Sequence, residues 1–142
     1  MKTNPDFLSS LLKTAQLGQT DIRSVLDTSI CPSLRKTLEM QLQEYDSIES
    51  EAHSLAAQRG WEVSELEPAL RFFMDRRSRI KLTGGNTESK IADILIRSNT
   101  RGMIKGLKAL HQSPIQDQQL QILSQKLLDC ENAHIRQMQA FL

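Results

Sequence analysis

The chain has 142 residues, a formal net charge of +1 and 25% charged residues. This length fits one globular domain with a substantial core, and the balanced charge argues against a disordered chain or a wholly basic nucleic-acid binder. Only 4% of the residues are aromatic, and Leu, Gln, Ala, Lys, Arg and Glu dominate, which favours helix over strand. We therefore expect a single all-helical domain over residues 1–142.

The cysteines and the N-terminus indicate the cellular environment. Cys31 and Cys130 are too few for a disulfide framework, so reduced thiols are expected, and they are too isolated in sequence for a zinc site. The N-terminal residues lead into an amphipathic segment without the apolar region of a signal peptide, and no apolar run is long enough to cross a bilayer. We expect a cytoplasmic protein with no membrane partner.

Apolar residues at intervals of three or four predict two helices in the first part of the chain. The first begins between Asn4 and Asp6, since proline and aspartate suit a first helical turn. The pattern breaks at residues 30–33, where the second helix begins. It ends at Arg59, because a basic residue followed by Gly60 is a common C-terminal signal.

The second part of the chain contains a shorter helix and two long ones. A possible capping box at Ser64 predicts a helix over residues 64–81, followed by a loop over residues 83–87 that makes Thr87 an N-cap. The next helix runs to about His111, where Ser-Pro punctuates the chain, and a final helix continues to the C-terminus.

Loop lengths predict how the helices connect. Short breaks make the first two long helices one antiparallel hairpin and the last two another, with about 27 residues between the hairpins. Two hairpins joined by one long crossover form a ferritin-like four-helix bundle. An up-and-down bundle with an appended fifth helix is the alternative.

Several stretches add a resemblance to this prediction. Residues 38–45, 89–96 and 98–104, together with the tail around Glu131 and Ile135, resemble small uncharacterised bacterial ferritin-like four-helix-bundle proteins. The resemblance covers most of the chain through diffuse hydrophobic and glycine patterns. It implies a helical bundle and possible dimerisation, and it supports the fold more than any activity.

A metal site is the sharpest functional hypothesis, because Glu131-x-x-His134 places a carboxylate and an imidazole on one helical face. Ferritin-like proteins bind two iron or manganese ions through a Glu from each of two helices and Glu-x-x-His from the other two. The second helix offers Glu44 at the matching level, but Ser47 stands where a histidine is needed. Glu131, His134 and Glu44 are therefore the candidate ligands.

The remaining positions argue that this metal site is vestigial. The first helix presents Gln16 and Gln19 at the matching depth, and the third presents Asp93 and Arg97. A fixed cation is a poor neighbour for two metal ions, so we expect Arg97 to form an ion pair with Glu131. A mononuclear site at Glu131, His134 and Glu44 is the weaker alternative.

Charge is distributed unevenly along the chain. Residues 1–70 contain six Lys or Arg and eleven Asp or Glu, whereas residues 71–108 contain ten and three. Arg76, Arg77 and Arg79 are candidate anion-binding residues, although nothing near them provides the aromatic platforms or recognition motifs of nucleic-acid binders. Pairing of the basic region with the acidic hairpin, within one chain or in a homodimer, is the simpler interpretation.

These patterns predict a non-catalytic ferritin-like bundle that acts as a binding or structural module, with a homodimer as the expected assembly. No cofactor is expected. The first alternative is an iron- or manganese-binding redox or storage protein with a reduced site. The second is anion or nucleic-acid binding through residues 71–108.

Overall fold

A computed structural model describes residues 2–67 and 86–142. Within these ranges the chain forms four α-helices and no strand, which confirms the all-helical prediction. None of the described helices is long and apolar enough to cross a membrane. The helices are α1 (Asn4–Leu26), α2 (Pro32–Arg59), α3 (Thr87–Gln112) and α4 (Gln118–Gln139).

Local sequence signals explain where the helices begin and end. Thr3 and Asp6 form a reciprocal capping box at the start of α1, so two backbone N–H groups that lack helical partners are satisfied. Gly60 ends α2 with φ of 67°, a left-handed conformation that favours glycine. The start of α3 differs by one residue from the prediction, because Asn86 and not Thr87 is the N-cap.

The segment after α2 differs from the predicted crossover helix. Residues 61–67 are not helical, and residues 68–81, the rest of the predicted helix, lie outside the described residues. The Ser64 N–H donates to Ser9 Oγ at 2.9 Å, and the Leu66 N–H donates to Gln16 Oε1 at 2.8 Å. The capping box predicted at Ser64 is therefore wrong, because this backbone bonds to α1.

The four helices pack around one hydrophobic core, with α1 against α2 and α3 against α4 as the main pairs. Short connections at residues 27–31 and 113–117 join the helices of each pair. The fully buried apolar side chains come from all four helices: Leu8, Leu12, Leu34, Leu38, Ile91, Leu120 and Met138.

Polar contacts link the two hairpins at both ends. Arg59, at the end of α2, donates from Nε to Asp117 Oδ2 and from Nη2 to Gln119 Oε1, each at 2.9 Å. At the opposite end of α2, the Cys31 N–H donates to Glu88 Oε1 at 3.1 Å. The start of α4 and the start of α3 are thus each fixed to one end of α2.

Candidate functional site

Two of the three predicted metal ligands meet between α2 and α4. Glu44 Oε2 lies 2.8 Å from His134 Nε2. The third, Glu131, is absent from this contact, and Cys130 stands in its place, with Sγ 3.2 Å from both atoms. We call Glu44, Cys130 and His134 the α2–α4 cluster; it is the group in the described residues whose donor atoms converge within 4.8 Å.

Burial sets the protonation of the α2–α4 cluster. His134 is fully buried, whereas the Glu44 side chain is 46% exposed. Burial lowers the pKa of His134, against the opposing effect of the Glu44 carboxylate, so the neutral imidazole is favoured. Burial, followed by the hydrogen bond to Glu44, raises the pKa of the Cys130 thiol. The resting cluster is a thiol, an imidazole and a carboxylate joined by hydrogen bonds.

Tyr45 connects this cluster to the centre of the protein. Its ring meets the His134 imidazole edge-on, with centroids 5.0 Å apart, and its hydroxyl donates to Asn99 Oδ1 at 3.1 Å. The hydroxyl-bearing end of the ring lies against Gly18 of α1, where a Cβ atom would stand 2.5 Å from Tyr45 Cζ. Glycine is therefore required sterically at position 18 for the ring to lie here.

Glu131 extends away from the cluster toward α3. It is 2% exposed, and its Oε2 has no hydrogen-bond partner. Burial raises its pKa from the ordinary 4.5 to about 8. Gly102 provides the space for the carboxyl group, since a Cβ at that position would lie 2.9 Å from Oε2. An unpartnered polar atom in a protein interior costs about 1–3 kcal/mol, so its presence needs an explanation.

The expected ion pair between Glu131 and Arg97 is wrong. Arg97 Nε bonds instead to Asp93 Oδ1 at 2.8 Å, one turn earlier on the same helix, and both side chains are exposed. The i, i+4 spacing makes this local pair the easier contact, and it keeps the guanidinium in water. Arg97 therefore does not neutralise the buried carboxyl.

Glu131 lines a cavity of about 570 Å³ between α1 and α3. We call it the α1–α3 cavity. Its walls also include Asp21, which accepts a 2.7 Å hydrogen bond from Ser98 Oγ and whose pKa is raised by burial. A smaller, mainly apolar pocket of about 50 Å³ lies next to it and shares Glu131 and Gly102 in its lining. The lining of the main cavity also includes cationic and polar side chains, next to apolar ones such as Leu17 and Ile94: Lys13, Thr14, Tyr45, Asn99, Arg101 and Lys105.

The dinuclear iron or manganese site suggested by Glu131-x-x-His134 does not fit the described residues. Gln16 and Gln19 of α1 donate to acidic side chains of α2 and the segment after it, including Glu49. Asp93 is exposed and bound to Arg97. Carboxylates from four helices therefore do not converge at the level of His134.

The predicted anion-binding residues Arg76, Arg77 and Arg79 lie outside the described residues. Further along the basic region, four cationic residues of α3 are exposed: Arg97, Arg101, Lys105 and Lys108. Two of them, Arg101 and Lys105, line the α1–α3 cavity. Exposed cationic residues of α3 therefore border the α1–α3 cavity.

Cys130 was missed as a site residue because its partner on α2 is distant in sequence. The available signal was Cys130-x-x-x-His134, since an i, i+4 spacing places both side chains on one face of a helix. No spacing rule connects either residue to Glu44, which reaches them only through packing of α2 against α4. Comparison of the chain with protein-family profiles, curated proteins and solved structures finds no match.

Proposed function

We propose that the protein is a non-catalytic ferritin-like bundle that works as a binding module, with the α1–α3 cavity as its ligand site. The observation that carries this proposal is the buried, unpartnered Oε2 of Glu131 facing the cavity. A group left without a partner in the free protein gains one when a ligand supplies a hydrogen-bond donor, so ligand binding recovers the desolvation cost. The cavity volume also falls within the range of small-molecule sites, about 300–1,000 Å³.

The lining residues indicate the chemical class of the ligand. At Glu131, a ligand would place a hydrogen-bond donor or a cationic nitrogen. Arg101 interacts electrostatically with Asp21, whereas Lys13 and Lys105 have no salt bridge within the described residues, so an anionic group of a ligand would bind at these two lysines. We therefore assign the cavity to a small organic zwitterion, with its nitrogen at Glu131 and its acidic group at the cations of α1 and α3.

The ferritin-like connectivity is the second part of the proposal. The short connections within α1–α2 and α3–α4, and the long segment between α2 and α3, support it. In such a bundle ligand sites lie between facing helices, as the α1–α3 cavity does. We also propose the homodimer expected from the charge distribution, which light scattering at low and high salt tests directly.

Ligand-observed NMR with three compound sets tests the ligand site: amino acids, primary amines of similar size, and carboxylic acids of similar size. We expect amino acids to bind best, and Glu131→Gln to weaken their binding about 10- to 100-fold, because a bound ammonium group favours the ionised Glu131 carboxylate and an amide cannot form the resulting charge-assisted hydrogen bond. The control is Glu51→Gln, which removes an exposed carboxylate paired with Lys126. Equal binding by wild type and Glu131→Gln, or no binding in any set, would overturn the assignment.

A further inference from the structure

The α2–α4 cluster brings three different donor atoms together in a triangle. Its sides are 2.8 Å between Glu44 Oε2 and His134 Nε2, and 3.2 Å from Cys130 Sγ to each of the other two atoms. Two donors come from one face of α4 and the third from α2, so the arrangement depends on the packing of the helices. We propose that Glu44, Cys130 and His134 bind a divalent cation of the Zn²⁺ class.

The donor set selects the type of ion. Zn²⁺ is of borderline softness and accepts thiolate, imidazole and carboxylate ligands together, whereas a thiolate is a poor ligand for Mg²⁺, Ca²⁺ or Mn²⁺. The site therefore differs in chemistry from the iron or manganese centre expected from Glu131-x-x-His134. Co²⁺ adopts the same coordination and serves as a spectroscopic probe for Zn²⁺.

The observed triangle is close to the dimensions that such a site requires. Metal–ligand bonds of about 2.0–2.3 Å place the donors of a tetrahedral site roughly 3.3–3.8 Å apart. The side between Glu44 and His134 therefore has to lengthen by about half an ångström, and the two sides at Cys130 by a few tenths of an ångström. Glu44 is half exposed and can move by this amount, and small side-chain rotations of Cys130 and His134 on α4 provide the rest.

Metal binding releases one proton to solvent. The thiol proton of Cys130, which is donated to Glu44 Oε2 in the resting cluster, leaves to solvent when Sγ becomes a thiolate ligand. The proton that His134 Nε2 donates to Glu44 in the resting cluster moves to Nδ1 when Nε2 becomes a ligand, so His134 coordinates as the neutral imidazole and Glu44 as the carboxylate with no further net change in protons. Since Glu44 reaches the surface, a water molecule completes four-coordination from that side. This site is separate from the α1–α3 cavity and does not depend on the ligand proposed there.

Co²⁺ titration of tag-free, reduced protein provides the test. We expect one equivalent of Co²⁺ to give a thiolate-to-cobalt charge-transfer band in the near ultraviolet, with intense tetrahedral bands in the visible. Added Zn²⁺ should bleach both. Absence of these bands, with no stoichiometric uptake of Zn²⁺ by calorimetry, would show that the cluster forms hydrogen bonds only and would overturn the proposal.

The two cysteines provide a matched pair of variants. Cys130→Ser should abolish the charge-transfer band, whereas Cys31→Ser should keep it at full stoichiometry. Glu44→Gln changes a half-exposed residue, so the fold is retained, and we expect at least a tenfold loss of Co²⁺ affinity. A band that persists in Cys130→Ser or disappears in Cys31→Ser would contradict the assignment, as would an unchanged affinity in Glu44→Gln.

Discussion

Adjacent residues of α4 face two regions that differ in how their polar groups are satisfied. In the α2–α4 cluster, Cys130 and His134 bond to each other and to Glu44. In the α1–α3 cavity, Glu131 faces open space, and its Oε2 has no partner. Tyr45 contacts both regions. Consecutive residues of one helix can therefore serve two regions: Cys130 completes a hydrogen-bonded cluster, and Glu131 lines a cavity that is open to solvent.

The largest expected effect tests how tightly the Tyr45 ring is held between the two regions. Gly18→Ala would place a Cβ atom 2.5–2.9 Å from three atoms of the Tyr45 ring. The ring is held by His134 and Asn99, so it has little room to move, and overpacking of this kind costs about 1–3 kcal/mol. Urea unfolding measures the loss. A variant as stable as wild type would show that the ring is free to yield.

Removal of the Tyr45 hydroxyl should have the next largest effect. Tyr45→Phe leaves Asn99 Oδ1 without its donor, and a lost buried hydrogen bond costs about 1–2 kcal/mol. The ring and its contact with His134 are retained, so the variant isolates the link between α2 and α3. Urea unfolding again provides the measurement. If the stability is unchanged, a water molecule from the cavity has replaced the hydroxyl.

The α1–α3 cavity should tolerate an added methyl group at position 102. Gly102→Ala would place its Cβ against the two carboxyl oxygens of Glu131, but that carboxyl is the end of a flexible side chain and can swing into the cavity. The gain in helix propensity, up to about 1 kcal/mol, offsets much of the cost. We expect a change in unfolding free energy within about 1 kcal/mol of wild type.

Gly106→Ala is the matched control for that substitution. Its Cβ would lie 3.4 Å from Leu128 Cδ2, an ordinary contact, so helix propensity alone predicts stabilisation by up to about 1 kcal/mol. The three glycine variants should therefore rank in stability as Gly106→Ala, Gly102→Ala and Gly18→Ala. If Gly102→Ala is as destabilised as Gly18→Ala, the cavity is closed in solution.

The smallest effect concerns pH and Asp21. Burial raises its pKa above the ordinary 3.8, although the Ser98 hydroxyl and Arg101 oppose the shift. Because the folded pKa exceeds the unfolded one, its stabilising contribution is full below the unfolded pKa and is lost as pH rises through the folded pKa. Asp21→Asn should remove this loss from the pH dependence of the urea midpoint. The exposed Asp93→Asn should keep it, and identical profiles for wild type and Asp21→Asn would contradict the prediction.

Much of the fold followed from sequence because its signals are local. Helical periodicity, Pro32 at a helix start and Gly60 at a helix end depend on neighbouring residues, and the structure contains these elements. Ser64 was misread because its N–H bonds to Ser9, a partner 55 residues away. A capping motif predicts a helix only where no distant group competes for the same backbone.

The site was harder to predict from the sequence, because it depends on how α4 is rotated about its axis relative to α2 and α3. The motif Glu131-x-x-His134 correctly indicated one helical face, but that face is wide enough to contact both α2 and α3. His134 meets Glu44, whereas Glu131 enters the space left by Gly102. Sequence spacing defines which residues share a face, and packing decides which neighbour each residue meets.

The contact between Gly18 and Tyr45 has a consequence for how this sequence can diverge. Any side chain at position 18 occupies the volume of the ring, so a larger residue there requires a smaller one at position 45. The loss of the ring would in turn leave His134 and Asn99 without their shared neighbour. In an alignment of related chains, we expect positions 18 and 45 to covary, with glycine retained wherever the aromatic ring is retained.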